Sequence, residues 1–212
     1  MIVRDKPDVW DLLTALRGSI VPRIVAPVLL LAAAAAGMVA LDHWTGALPR
    51  LDGSTFAVFG IGLSLFLGFR NNAAYDRWWE ARRLWGGLLA DMRSLAREAE
   101  VFIPDQDIRH RMLRAALVFL HAHRINLRRL SPAVPGQESV AGASHPPCAA
   151  LDGVNAVVAA AHRSGAVDGF GARALSARLG NIAAQQAGCE RIANSPLPFV
   201  YSLLIYRTTY LY

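Results

Sequence analysis

Residues 54–88 read STFAVFGIGLSLFLGFRNNAAYDRWWEARRLWGGL, and this stretch decides the fold because an apolar segment runs directly into a charged one. The first part, Ser54–Phe69, contains no charged side chain. It is somewhat shorter than the roughly 20 residues with which a helix crosses a bilayer. Leu51 and the helical pattern after Phe69 can extend it, so we predict a membrane-spanning helix here.

One face of this predicted span contains three bulky apolar side chains. Ile61, Leu65 and Phe69 recur every four residues, which places them on one side of a helix. That side can face lipid or a neighbouring helix, as on any membrane helix. Alternatively, symmetric copies of it can surround a pore and gate ions by dewetting. The spacing alone favours the first interpretation. A neighbouring stripe of small residues would let helices approach closely in a bilayer: Gly60, Ser64 and Gly68.

An earlier block, Ile24–Leu41, reads IVAPVLLLAAAAAGMVAL and has no charged residue over 18 positions. At about 1.5 Å per residue it is long enough to cross the hydrocarbon layer. A cleaved signal peptide is the alternative, but the 23 preceding residues are too long and too mixed in charge for one. A buried soluble helix is disfavoured because every face is apolar. We predict a transmembrane hairpin, spanning residues 24–69, with residues 41–53 as its outer loop.

Charge predicts the orientation of this hairpin. The chain is 54% hydrophobic, has a mean hydropathy of +0.29 and a formal net charge of +6. Its basic residues lie beside the apolar blocks rather than in a run of their own, which disfavours a nucleic-acid partner. Basic flanks are typical of the cytoplasmic side, so we predict a multi-pass membrane protein with both ends of the hairpin inside. The flanking residues are Arg4, Lys6, Arg17 and Arg23, then Arg70, Arg77, Arg82 and Arg83.

The rest of the chain is predicted to be helical. Residues 1–23 form a cytosolic segment, residues 70–196 a cytosolic helical region, and residues 197–212 the start of a third apolar span. No segment alternates as a strand does, so the fold class is all-α. Residues 131–147 are rich in Pro, Gly and Ser and are predicted to be a loop. Periodicity predicts cytosolic helices over residues 84–102, 104–129, 151–164 and 169–194.

Carboxylates and arginines follow the second span closely. Asp76 and Glu80 lie four apart on one helical face, within reach of Arg82 and Arg83. They could bind an ion as a pair of carboxylates, or join a lattice of salt bridges, and we favour the lattice. The helix over 84–102 carries charges that we predict opposite its apolar face: Asp91, Arg93, Arg97 and Glu98.

Motifs of catalysis and cofactor binding are absent from the sequence. It has no Ser-His-Asp arrangement, no glycine-rich phosphate loop outside the membrane block and no HExxH. Cys148 and Cys189 are predicted to be free thiols. We therefore predict no enzyme activity, no cofactor and no metal site. The histidines that could join the cysteines match no standard zinc spacing: His110, His121, His123 and His145.

Two segments resemble one family. The Arg77-Trp78-Trp79-Glu80 motif follows an aromatic-rich membrane helix, and residues 189–212 read CERIANSPLPFVYSLLIYRTTYLY. Both resemble the bestrophin family, in particular its bacterial branch, and the resemblance runs through essentially the whole chain. Members continue beyond the position of Tyr212, so the sequence is expected to be incomplete at its C-terminus relative to the family.

The resemblance implies a homopentameric channel around a central axis, embedded in the lipid bilayer of the bacterial inner membrane. Its neck would be lined by Ile61, Leu65 and Phe69, which moves our preference to the pore interpretation, and its cytosolic aperture by Leu179. The bacterial branch implies monovalent cations such as sodium as the permeant ions, whereas animal relatives pass chloride. The alternative function is a non-conducting membrane scaffold or sensor whose cytosolic helices bind a partner.

Overall fold

The structure, a computed structural model, describes residues 21–46, 53–130, 140 and 142–211. Within these ranges the secondary structure is helical and contains no strand, which confirms the predicted all-α class. Residues 1–20 and residues 47–52 of the predicted outer loop lie outside the described residues, as do residues 131–139 and 141 of the predicted loop at 131–147. The helices are α1 Val21–Thr45, α2 Gly53–Phe102, α3 Gln106–Arg128, α4 Pro146–Arg163, α5 Gly169–Asn194 and α6 Phe199–Leu211.

Helix α1 contains the first apolar block and is longer than that block at both ends. Its side chains are exposed, although almost all of them are apolar. Pro27 is the seventh residue of the helix and therefore lies inside it, where it removes the backbone hydrogen bond to the Arg23 carbonyl one turn earlier. Among the described residues, α1 is the one helix that is long and apolar enough by itself to cross a bilayer.

Helix α2 runs for 50 residues without a break, about 75 Å at the usual rise. It joins the second apolar block, the Arg-Trp-Trp-Glu motif and the helix predicted over 84–102 into one rod. The reason is in the sequence, because no proline occurs between Pro49 and Pro104. Pro104 disfavours helical backbone at the residue before it, and α2 ends at Phe102.

The boundaries of α3 follow from local capping. The Asp105 side chain accepts hydrogen bonds from the backbone N–H groups of Asp107 (2.8 Å) and Ile108 (3.0 Å). These bonds stabilise the ionised carboxylate and lower the pKa of Asp105. At the other end, Arg129 takes a left-handed conformation with φ of 51°, and its N–H donates to the Asn126 carbonyl. The helix therefore starts and stops where the sequence predicted.

Helix α4 begins at Pro146, earlier than the predicted start near residue 151. The two prolines at 146 and 147 favour a loop when met in a sequence, but proline is also well suited to the first turn of a helix. The His145 imidazole completes this start by accepting a hydrogen bond from the Cys148 N–H at its Nδ1 (3.3 Å). Helix α5 begins after Asp168, whose carboxylate caps the Gly171 N–H (2.7 Å), and agrees with the predicted range 169–194.

The second half of α2 packs with α3, α4 and α5 into a helical bundle with its own hydrophobic core. Full burial of a large apolar side chain contributes roughly 1.5–3 kcal/mol, so this core is the main source of the bundle's stability. Glycine lets the helices approach: a Cβ added to Gly188 of α5 would lie 2.7 Å from a methyl carbon of Leu84 on α2. The largest buried side chains include Leu88, Leu95, Ile103, Met112, Phe119, Leu175 and Ile182.

One ion-pair cluster fastens α5 to α2. Arg178 donates to Asp91 (2.9 Å) and to Glu98 (2.6 Å), two carboxylates that lie two helical turns apart on α2. Hydrogen bonds to both carboxylates raise the pKa of Arg178 further above its usual range. The prediction that Asp91 and Glu98 face away from the bundle is therefore wrong, because each is largely covered by the arginine of α5.

Candidate pore-lining helix and the motif that follows it

The three predicted neck residues lie on one face of α2, and the chain leaves that face open. Ile61 is 72% exposed, Leu65 54% and Phe69 51%. Both a pore and a lipid-facing stripe require side chains that their own subunit does not cover. The arrangement therefore meets the requirement for a neck, and the function of the face depends on what surrounds it in the assembly.

The neck face has no group that could choose an ion by its charge. The segment Ser54–Phe69 contains no charged residue, and the Ser64 hydroxyl donates to the Gly60 carbonyl one turn earlier (2.8 Å). A pore lined by such a face would resist passage of any hydrated ion, because ions lose hydration in an apolar passage. Charge selectivity in such a pore would come from charged groups outside this face.

The Arg-Trp-Trp-Glu motif holds the C-terminal end of α5 against α2. The Arg77 guanidinium donates to the backbone carbonyls of Ile192 and Ser195, which are near the end of α5. Carbonyls in the last turn of a helix have no partner within the helix, and a cation there also favours the helix dipole. Arg77 thus positions the turn at Ser195–Pro198 that leads into α6, a role that the sequence did not indicate.

Glu80 completes this attachment through Arg191 of α5, to which its carboxylate is hydrogen-bonded. The predicted partner on its own helix, Arg83, is not the one it uses. Arg82 instead places its guanidinium over the ring of Trp78, 5.7 Å from the centroid. The salt-bridge interpretation of Glu80 holds, but the bridge joins two helices that are far apart in sequence.

The aromatic residues of the motif form a short exposed ladder. The rings of Tyr75 and Trp78 lie 5.7 Å apart, and those of Trp78 and Trp79 6.0 Å apart. Both tryptophans are about half exposed. Tryptophan favours the boundary between apolar and polar surroundings, and this ladder lies two to three turns beyond the uncharged block of α2.

Leu179, the predicted aperture residue, packs in the helical bundle. It is 6% exposed and belongs to the hydrophobic core of the bundle. Within one chain the side chain therefore packs α5 against the rest of the bundle, and its place at an aperture of the assembled subunits stays a prediction.

An open groove follows the motif along the bundle, with a volume of about 630 Å³. Its floor is apolar, with Trp78, Trp85 and Leu89 of α2 among the lining residues, and Arg124 and Arg128 of α3 also line it. The groove could not be predicted from local sequence patterns, because it forms from helices that are distant in sequence.

A buried imidazole lies beside the groove. His123 is fully buried, stacked between the rings of Trp85 (5.9 Å) and Phe119 (5.7 Å). Its Nδ1 is 3.8 Å from a carboxylate oxygen of Glu190, and the same oxygen is 3.5 Å from His145 Nε2. Both ring nitrogens of His123 lack a hydrogen-bond partner within the described part of the chain. Burial lowers the pKa of His123, opposed in part by the Glu190 charge.

The bundle should therefore lose stability as the pH falls. The unfolded chain binds a proton at His123 near the ordinary pKa of 6.5, before the folded protein does. The free energy of unfolding then decreases as the pH falls from about 6.5 towards the lowered pKa of the folded state. His123→Phe keeps the ring stack and should remove this part of the pH dependence, measured by urea unfolding at several pH values. An equal slope in the wild type and the variant would contradict the assignment to His123.

Comparison with known proteins places these features in context. The family model described as bacterial/fungal bestrophin protein matches residues 1–212. A voltage-dependent anion channel-forming protein of Mesorhizobium japonicum is 42% identical over the whole of this chain and 71% of its own length. A protein of the same description from Ralstonia nicotianae is 36% identical, with 73% of its length covered. A crystal structure of a bacterial bestrophin homolog from Klebsiella pneumoniae aligns with a TM-score of 0.78 at 27% identity, over 91% of this chain and 75% of that one.

Proposed function

Since this chain belongs to the bacterial and fungal bestrophin family, we propose that five copies of it form a channel that passes monovalent ions through a hydrophobic neck. The family and the channel-forming relatives make the protein an ion channel and not an enzyme. It is a membrane protein, in keeping with its apolar helix α1 and its bestrophin relatives, and self-association is part of the proposal. The fivefold symmetry, the identity of the ions and the bacterial inner membrane are the finer parts of the proposal.

The observation that supports a neck is the open face of α2. Ile61, Leu65 and Phe69 are large, apolar and uncovered, and they recur on one side of a helix that continues straight out of the apolar block. In a symmetric ring each position would supply one circle of apolar side chains. Three successive circles would form a constriction about two turns long, which is long enough to exclude water when it is narrow.

The permeant ions are proposed to be monovalent cations, with sodium as the example. The relatives from Mesorhizobium japonicum and Ralstonia nicotianae are described as anion channel-forming, so a reversal potential tests the sign of the permeant ion directly. The uncharged neck favours neither sign. The charge nearest to the neck on the same helix face therefore decides which sign of ion is favoured.

The experiment is current measurement with the purified protein in planar lipid bilayers, under a gradient of sodium chloride. We expect discrete conductance steps and a reversal potential of the sign that cations produce. A reversal potential of the opposite sign would be consistent with a channel but would overturn the preference for cations. Absence of current from protein that elutes as a single oligomer would overturn conduction itself.

A non-conducting scaffold or sensor is the second candidate, and the groove beside Trp85 is the observation that favours it. Apolar floors with arginine at the edge are typical of surfaces that bind other proteins. This candidate predicts an intact membrane protein without current and a bound partner at the groove. Current in the bilayer experiment decides between the two functions.

A further inference from the structure

The neck face of α2 continues into the part of the helix beyond the apolar block. A seven-residue step along an α-helix returns to nearly the same face, within about 20°. Asn72 is seven residues after Leu65, and Asp76 is seven residues after Phe69. Because α2 is unbroken from Gly53 to Phe102, these register positions are kept through the end of the apolar block.

Asp76 is the first charged side chain on this face after the neck. It lies about 10 Å along the helix axis from Phe69, at the usual rise per residue. Two arginines lie close to these positions in sequence. Arg70 follows Phe69 directly but points to another side of the helix, and Arg77 is adjacent to Asp76 but donates to carbonyls at the end of α5. The face beyond Phe69 therefore presents the uncharged Asn72 first and then a carboxylate.

The Asp76 carboxylate is available to an ion. The residue is exposed, and within the part of the chain that the structure describes it has no ion-pair partner. Its neighbour Glu80 differs in this respect, because Glu80 is bound to Arg191. Asp76 lines a small pocket with Arg77 and Arg191, but these two arginines donate their hydrogen bonds to other groups. A carboxylate without an ion pair of its own attracts cations and repels anions.

We propose that Asp76 sets the charge preference of this channel, as a ring of carboxylates where the neck opens into the cytosolic side. The inference rests on the proposed function, because it needs the neck face of α2 to point at the axis. Rings of acidic side chains are an established means of favouring cations in pores, and charge in a narrow cleft raises the local cation concentration. Arg83 lies on the same face of α2, about 10 Å beyond Asp76 along the helix axis and therefore farther still from Phe69. The distance from Asp76 is about one Debye length at physiological salt, so the positive charge of Arg83 is largely screened at the neck.

Reversal potentials of four proteins test this inference: the wild type, Asp76→Asn, Asp76→Glu and Glu100→Gln. Asp76→Asn should lower the cation-to-anion permeability ratio by about threefold or more, since it removes the local charge while keeping the size of the side chain. Asp76→Glu should retain the wild-type ratio. Glu100→Gln removes the same charge from an exposed site near the far end of α2 and should also leave the ratio unchanged.

The failures of the two proposals are distinguishable in this experiment. No current from the wild type would overturn the proposed channel function. Current with the same reversal potential in the wild type and in Asp76→Asn would leave the channel standing and overturn the role of Asp76. An equal change in Glu100→Gln and Asp76→Asn would also overturn it, because the effect would then follow net charge rather than position. Elution of each variant at the wild-type volume confirms that the assembly is intact.

Discussion

Replacement of Leu65 and Phe69 together by alanine should raise the single-channel conductance several-fold, up to roughly tenfold, which corresponds to about 1.4 kcal/mol of barrier. The two substitutions remove the bulk of two adjacent circles of apolar side chains and leave the helix with a residue of higher helical propensity. A wider passage keeps water, so an ion loses less of its hydration on the way through. Recordings in planar bilayers at fixed salt measure the change.

Leu67→Ala is the matched control for this prediction. Leu67 lies in the same apolar block, is exposed to a similar extent (45%) and points to the opposite side of α2 from Leu65. Its truncation should leave the conductance unchanged. If Leu67→Ala raises the conductance as much as the joint replacement of Leu65 and Phe69 does, or if neither has an effect, the neck is not on the proposed face.

Phe119→Ala should destabilise the helical bundle by about 3–5 kcal/mol, the usual cost of truncating a buried phenylalanine. Phe119 has no exposed surface, belongs to the core and stacks on the buried His123 ring. The substitution therefore removes apolar burial and leaves a cavity beside an imidazole that has no hydrogen-bond partner within the described residues. Urea unfolding of the full chain in mild detergent, followed by helical circular dichroism, measures the loss.

The control for the core prediction is Phe170→Ala at the start of α5. Phe170 is 84% exposed, so its truncation should change the free energy of unfolding by no more than about 0.5 kcal/mol. Equal losses from the two variants would show that the packing around Phe119 is not the source of the bundle's stability.

Local patterns in the sequence predicted the parts of the fold that depend on local physics. The four-residue spacing of Ile61, Leu65 and Phe69 identified one face of a helix, and the structure shows all three on it. The Pro104-Asp105 pair predicted the start of α3 because capping needs only a few neighbouring residues. The continuity of α2 was within reach as well, since the absence of proline between 50 and 103 is visible in the sequence.

Contacts between distant segments were beyond such patterns. Arg77 binds the end of α5, and Glu80 binds Arg191, more than 100 positions further along the chain. Nothing in the spacing of the motif indicates these partners, because they depend on how α5 returns to α2. The same limit applies to Arg178, which converts two carboxylates predicted to face outward into a link between helices.

The burial of Leu179 within one chain is visible in the spacing of apolar residues on α5. Leu175, Leu179, Ile182 and Cys189 are separated by four, three and seven residues, which is typical of a face packed into a core. The aperture prediction depends instead on a resemblance that crosses less distinctive sequence, and it stays a prediction about the assembled subunits.

The number of subunits in the purified protein tests the central claim most directly, because α2 can line a pore only when several copies surround one axis. Native mass spectrometry from mild detergent should give a single assembly of five 23.0 kDa chains. A monomer or a dimer would contradict the account, since neither can enclose an axial passage, and the apolar face of α2 would then have to be covered by lipid.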